Sequence, residues 1–313
     1  MKISVALIVY NGSNYLATQI DSILNQTQKV DEIIVCNDAS LDNSLNILEN
    51  YKNNYPNLFF IYNNTQNIGP TKNIEKAIKA CSGDILILAD QDDYWQNNKV
   101  NTILKFFEKN PKINGVFTNG FIMNSLEEID KKYSLWDLMS FPYKIINNSN
   151  DLKLYINTVE NCVTGATLAF RNNLPFLKLP FPTIKHLVHD RWLAINLAEN
   201  NALASIEDKL ISYRIHSNQA IGGKTKNVEN FIELNSKLFL DKTDIDTFKD
   251  LLYILNKIEI NLQIQIEFSK LNYFNNSNYI TILKNKHKKY QELGIKKWPL
   301  LIRLRKIKKY LIH

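Results

Sequence analysis

Apolar residues along the first 120 positions fall into short, nearly unbroken runs, separated by stretches in which they recur at helical spacing. The runs Ile3–Val9, Glu32–Cys36, Leu58–Tyr62, Ile85–Ala89 and Gly115–Thr118 predict strands. The intervening segments Asn14–Asn25, Asp42–Asn53, Thr71–Ala80 and Asn97–Glu108 predict helices. Continuous apolar strands alternating with helices are the pattern of βαβ units, whose parallel sheet is covered on both faces. Polar helix starters fit the same reading: Ser40 and Asp42 precede the second helix, and Pro70-Thr71 opens the third.

Residues 121–225 read as a mixed region that extends the sheet and builds the second half of a cleft. Within it Leu210–Tyr213 predicts a strand, and Lys178–Pro182, with two prolines, a connection. After Gly222-Gly223 the texture changes. From about Val228 onward apolar residues recur at helical spacing among Lys, Glu and Asn, with no strand alternation. The chain is therefore expected to be α/β: a mostly parallel sheet flanked by helices over 1–223, followed by a helical, basic region over 224–313.

Composition narrows the class. The chain has 313 residues, 45% of them apolar and 22% charged, which fits a globular protein and not a disordered one. No run of 18 apolar residues predicts a membrane span, and Met1–Tyr10 is too short and poorly flanked for a signal peptide. Cys36, Cys81 and Cys162 have no spacing that suggests a zinc site or disulfide framework, so a reduced cytoplasm is the expected compartment. The net charge of +7 is localised: Lys284–His313 holds eleven Lys or Arg against Glu292 alone, +10 in all, which leaves −3 for the rest. That tail interleaves cations with large apolar groups from Trp298 to Ile312. Such a segment is either a solvated helix face or an interfacial helix on an anionic membrane; the latter reading predicts peripheral attachment to the inner face of the cell membrane. No reader motif accompanies the charge, so nucleic acid is not an expected partner.

Ligands of parallel α/β sheets bind beyond the carboxyl ends of the strands. Four polar groups stand there: Tyr10-Asn11-Gly12, Asn37-Asp38-Ala39-Ser40, Asn67-Ile68-Gly69 with Lys72 and Asn73, and Asp90-Gln91-Asp92-Asp93-Tyr94-Trp95. Three aspartates within four residues repel one another and raise at least one pKa unless a cation sits among them. A solvated, helix-capping turn is the alternative. Behind a buried strand, however, a hard divalent cation, Mg²⁺ or Mn²⁺ completed by substrate phosphates, is the better account.

These groups together resemble glycosyltransferase family 2, enzymes of the GT-A fold, over roughly residues 1–223. The later motifs Thr164-Gly165-Ala166-Thr167, His189-Asp190-Arg191-Trp192 and Tyr213-Arg-Ile-His-Ser-Asn218 resemble the bacterial rhamnosyltransferase-like enzymes of polysaccharide assembly. The resemblance implies inverting transfer of one sugar from a nucleotide-sugar donor, with dTDP-L-rhamnose first, to a hydroxyl of a glycan or lipid-linked acceptor. Another donor such as a UDP-sugar is the alternative. By position, Tyr10 would pack on the base and Asp38 accept a hydrogen bond from it, with Asn11, Asn67, Lys72, Asn73 and Gly165 beside the donor. Asp90 would lie near the ribose and metal, Asp92 would ligate the metal, and His216 would complete its shell or touch a phosphate. Asn37 stands where many relatives carry a second aspartate.

Asp190 is the residue implied for the reaction, as the general base for the acceptor hydroxyl. Its position at the start of an apolar-periodic helix equally suits an N-cap. His189, Arg191, Trp192 and Trp95 would line the sugar or acceptor pocket, and Gly165 suggests backbone close to a ligand or a plain bulge. Processive synthases carry Q-x-x-R-W and membrane helices, and nucleotidyltransferases a Gly-rich phosphate loop; neither pattern occurs here. A non-catalytic nucleotide-sugar or glycan binder would not need Asp90, Asp92 and Asp190 together.

Overall fold

The computed structural model describes residues 1–217 and 227–310. They divide into two compact units, the first made of Met1–Met139, Val163–Thr183 and Val188–Lys224. The second comprises Ser140–Cys162, Ile184–Leu187 and Thr225–His313. The helical region is thus not confined to the stretch after 223, because 140–162 and 184–187 group with it. The expected boundary at 223, and Asn218 of the last motif, lie outside the described residues.

The first unit begins with β1 (Ile3–Val9), α1 (Leu16–Leu24), β2 (Glu32–Asn37), α2 (Ser44–Asn54), β3 (Phe59–Asn63), α3 (Pro70–Ala80) and β4 (Ile85–Ala89). It continues with β5 (Tyr94–Trp95), α4 (Lys99–Lys109), β6 (Gly115–Asn124), β7 (Ile129–Ser134) and α5 (Leu135–Leu138). After the excursion into the second unit come β8 (Leu168–Arg171), α7 (His189–Glu199) and β9 (Leu203–Ile215). One sheet of nine strands runs in the order β3-β2-β1-β4-β8-β6-β9-β5, with β7 paired to β6. The strands β3, β2, β1 and β4 are parallel, whereas β8 lies antiparallel between β4 and β6.

The parallel half forms as its sequence dictates. Ile3, Val5, Leu7 and Val9 of β1 and Ile85, Ile87 and Ala89 of β4 share one core with Leu16, Ile20 and Ile23 of α1 and Val100, Ile103 and Phe107 of α4. Each fully buried aliphatic side chain contributes roughly 1.5–3 kcal/mol relative to exposure. This layer fixes the strand ends, and with them the loops that follow.

Polar residues at those ends tie loop to loop. Asn43 occupies the cap position of α2 without a side-chain cap bond, its Oδ1 accepting instead from Asn46 Nδ2 at 2.7 Å. Ser40 and Asp42, which precede that helix, also hold the loop after β1: Ser40 Oγ accepts from Asn11 N at 2.9 Å and Asp42 Oδ2 from Ser13 N at 2.9 Å, while Asp42 Oδ1 accepts from Ser44 N, at the start of α2, at 3.0 Å.

The second unit contains α6 (Ser149–Thr158), α8 (Val228–Phe239), α9 (Phe248–Lys270), α10 (Ser277–Lys297) and α11 (Pro299–Tyr310). Leu251, Ile254, Leu255, Ile258, Ile264 and Phe268 of α9 are completely buried. Asn261 Nδ2 donates to Val159 O at 3.0 Å and Gln265 Nε2 to Asn157 Oδ1 at 2.8 Å, which lock α9 to the end of α6. In α11, Ile302 is buried while Leu300, Leu301 and Leu304 are exposed. Among the described residues no helix is long and apolar enough to cross a membrane.

Candidate active site

The carboxyl ends of β1, β2 and β4 bring the early motifs together. At the end of β1, Tyr10 and Asn11 are exposed, and Asn11 turns with a positive φ of 50° while its Oδ1 accepts from Leu41 N at 2.8 Å. Gln91 grips the main chain of Tyr10 from the acidic turn: Oε1 accepts from Tyr10 N at 2.7 Å and Nε2 donates to Tyr10 O at 2.9 Å.

Asp38, at the end of β2, is buried and fully engaged. Its carboxylate accepts from Asn64 Nδ2 at 2.7 Å, Ile68 N at 2.9 Å and Gly69 N at 2.9 Å. It therefore shapes the Asn67–Gly69 loop, in which Asn67 Oδ1 also accepts from Gly69 N. Asn73, expected beside the donor, is buried with both ends of its amide occupied: Nδ2 donates to Cys36 O at 2.8 Å and Oδ1 accepts from Asn64. It joins α3 to β2. Lys72 and Asn67 are exposed.

The acidic turn after β4 is the electrostatic centre. Burial, then the charges of Asp92 and Asp190, push the Asp90 carboxyl up to about 7, with Lys99 acting in the opposite sense. Asp92 and Asp190, from two separate motifs, are thus near enough for their charges to act on Asp90. Asp92 is half-buried, and its Oδ2 lies 2.9 Å from His216 Nε2. Asp93 is completely buried and its Oδ1 accepts from Arg214 N at 2.9 Å. Burial, together with Asp92 and Asp90, holds the Asp93 carboxyl well above the usual carboxylate range.

Two buried cations that the sequence reading did not assign serve this turn. Lys99, at the start of α4, has no exposure; its Nζ donates to Ala166 O at 2.7 Å and lies 4.0 Å from the Trp95 ring centroid. Burial pushes its ammonium down to about 7, opposed by the charges of Asp93 and Asp90. Arg214, near the end of β9, also has no exposure, and its Nε donates to Asp92 O at 2.7 Å. A Lys or Arg is read from sequence as surface unless paired. The signal available was the closeness of Arg214 to His216 in the motif that follows the apolar run Leu210–Tyr213.

Asp190 lies in the first turn of α7, whose cap residue is Val188, without any side-chain cap bond. The N-cap role is therefore not its own. His189 is buried, and burial pushes its imidazole down to about 4, so it is neutral at physiological pH. A β-carbon built on Gly165 would stand 2.9 Å from His189 Nε2. What approaches the Gly165 backbone is this ring. Trp95 and Trp192 are each 1% exposed, and Arg191 is 4% exposed. Tyr213 is a further neighbour: burial first, then Asp93, Asp90, Asp92 and Asp190, raises its phenol well above the usual range.

Comparison with known proteins gives the context. The description of Glycosyl transferase family 2 matches residues 4–171. An uncharacterized glycosyltransferase of Haemophilus influenzae is 26% identical over 286 residues, covering 90% of this chain and 83% of that protein. A poly(ribitol-phosphate) beta-glucosyltransferase of Bacillus spizizenii is 31% identical over 145 residues, but that match covers 44% of this chain and only 23% of the relative. Among solved structures, S. aureus TarS 1-349 in complex with UDP-GlcNAc aligns with a TM-score of 0.56 at 16% identity, covering 94% of this chain and 81% of that one. At that identity the likeness is one of fold.

Proposed function

The chain belongs to glycosyl transferase family 2 and is a glycosyltransferase, and on that premise we propose that it moves a single sugar from a nucleotide-sugar donor to a hydroxyl of a glycan or lipid-linked glycan acceptor in surface polysaccharide synthesis. Its architecture is the GT-A fold with a helical C-terminal part. The observation that carries the proposal is that Asp90 is buried at the end of β4 with Asp92 and Asp190 near enough for their charges to raise its carboxyl.

In this reading Asp190 accepts the proton of the acceptor hydroxyl as that oxygen attacks the anomeric carbon. The bond from that carbon to the diphosphate oxygen breaks, and the nucleoside diphosphate departs from the opposite face. One displacement inverts the centre, and no enzyme nucleophile takes part. Tyr10 and Asn11 are exposed at the mouth of the site, where the base would bind, and Asp38 holds the loop beside them.

Among the described residues no group of three or more His, Cys, Asp or Glu is arranged to hold a metal ion by itself. The donor set nonetheless fits Mn²⁺ or Mg²⁺: Asp92 and His216 are in contact and Asp90 is close by, a small oxygen-rich set of the kind that shares a cation with substrate phosphates. A cation bound there would neutralise the departing diphosphate as a Lewis acid.

The exposed Leu300, Leu301 and Leu304, together with the cations of the C-terminal region, support peripheral binding of that region to an anionic membrane.

The test is release of nucleoside diphosphate across a panel of nucleotide sugars. The panel includes dTDP-L-rhamnose, which the late motifs favour, and UDP-sugars, in view of the UDP-GlcNAc bound by TarS. Release should stop in chelator, return with Mn²⁺ or Mg²⁺, and be abolished in Asp92→Ala. Full activity of Asp92→Ala in chelator would sink the metal-dependent part of the proposal.

A further inference from the structure

We propose that Arg214 is a positioning residue that sets His216 against Asp92, so that the pair presents one preformed face to the donor diphosphate and its cation. The inference rests on the reading of Asp92 and His216 given above and assigns the residue that holds them.

The guanidinium is completely buried, and its contacts converge on the acidic turn. Its Nε donates to Asp92 O at 2.7 Å, while the Arg214 main-chain N–H donates to Asp93 Oδ1 at 2.9 Å. One terminal nitrogen donates to Glu127 Oε1 at 3.1 Å, in the turn between β6 and β7. The central carbon lies 4.4 Å from the ring centroid of Tyr15. The opposite partner of Tyr15 is His216, at 4.9 Å between centroids and 51° between planes. Tyr15 is thus packed by Arg214 and by His216, while the main chain of Asp92 is held by Arg214 and its carboxylate by His216.

This arrangement follows from where β9 ends. Arg214 is the penultimate residue of β9 and His216 directly follows its last residue, Ile215, so the end of one strand delivers both side chains to the acidic turn, where each contacts Asp92. Arg suits the position for two reasons: it cannot lose its charge when buried, and its planar fork serves Asp92, Glu127 and the Tyr15 face at once. A Lys would supply a point charge and leave at least one of these unserved.

The experiment measures Mn²⁺ binding in the presence of UDP, by electron paramagnetic resonance and calorimetry, well below each variant's thermal midpoint. Groups that orient metal ligands typically change metal affinity about 10–100-fold when removed. Arg214→Ala and Arg214→Lys are both expected to weaken Mn²⁺ binding within this range, and added guanidinium is expected to restore part of the loss in Arg214→Ala. Tyr15→Leu, at a half-buried position, should weaken binding in the same direction with little change in thermal midpoint, which keeps the proposal testable even if the arginine variants fail to fold. Asp92→Ala and His216→Ala serve as references. If both references lose Mn²⁺ binding while the folded arginine variants, or Tyr15→Leu, retain it, the role of Arg214 is overturned and the site reading stands. If neither reference changes Mn²⁺ binding, the site reading itself falls.

Discussion

Gly165 and His189 are matched to each other: the glycine has no side chain, and the imidazole occupies the space, with Nε2 2.9 Å from where a β-carbon would be. His189 immediately precedes Asp190, so the fit indexes α7 against the turn that contains Gly165. Gly165→Ala is expected to displace the ring and cost about 1–3 kcal/mol of stability, as overpacking commonly does. Transfer should fall more than donor affinity. His189→Ala on the same chain should relieve the clash, so the double variant is expected to recover the thermal midpoint. A double variant no more stable than Gly165→Ala would show that the strain lies elsewhere.

Asp190→Asn keeps the shape of the side chain but cannot take a proton. Turnover is expected to drop roughly 10²–10⁴-fold, the usual worth of a positioned base, with donor affinity nearly unchanged. Because Val188 occupies the cap position of α7, the thermal midpoint should move little. Wild-type turnover in this variant would remove Asp190 from the reaction.

The raised Asp90 carboxyl gives a pH dependence with a definite sign. Its folded pKa of about 7 lies above the ordinary 3.8, so the folded state favours the protonated form. This contribution to stability is complete below pH ~4 and is lost as pH rises through about 7. Asp90→Asn should therefore gain on the wild type in thermal midpoint across that interval, in the absence of divalent cation. In the wild type, Mn²⁺ competes with the proton, so its stabilising effect should grow from pH 6 to pH 8. Equal pH profiles for wild type and Asp90→Asn would contradict the raised pKa.

The membrane proposal is tested best by point changes in α11. Leu300, Leu301 and Leu304 are 72%, 41% and 60% exposed, whereas Ile302 is buried in the second unit. Changing the three leucines to serine should leave the thermal midpoint near that of the wild type and reduce co-sedimentation with vesicles of phosphatidylglycerol and phosphatidylcholine. Unchanged sedimentation would show that this face does not enter the interface.

Much of the parallel half was legible because its strands are continuous apolar runs. β1 and β4 have the expected ends, and α3 differs by one residue. The later strands were harder to read for a physical reason. β9 carries Glu207-Asp208-Lys209 in its middle, exposed to water, so its 13 residues show an apolar run only near Leu210. β6 runs on to Asn124 through Asn119 and Gly120, which look like a stop; Asn119 Oδ1 in fact accepts from Gly120 N and Trp136 N inside the fold.

The site shows the same division. Positions of the three aspartates after β4 follow from topology, whereas the expectation for Trp95 and Trp192 rests only on their adjoining motifs. Adjacency along the chain does not determine which way a side chain points. Trp95 belongs to β5, paired with β9, and Trp192 to a helix buried along most of its length. The burial of Lys99 and Arg214 is not legible in the sequence, because their partners, Ala166 O and Asp92 O, are main-chain atoms distant along the chain.

The interleaving of the two units bears on how the chain is made. During synthesis α6 emerges long before the helix that completes it: Asn157 must wait for Gln265, 108 residues later. At about 5–20 residues per second that is a delay of roughly 5–20 s. Until then Leu152, Tyr155 and Ile156, all buried in the finished protein, lack the α9 side of their unit. Until α9 emerges, the nascent chain thus carries in its middle an apolar segment that lacks its partner.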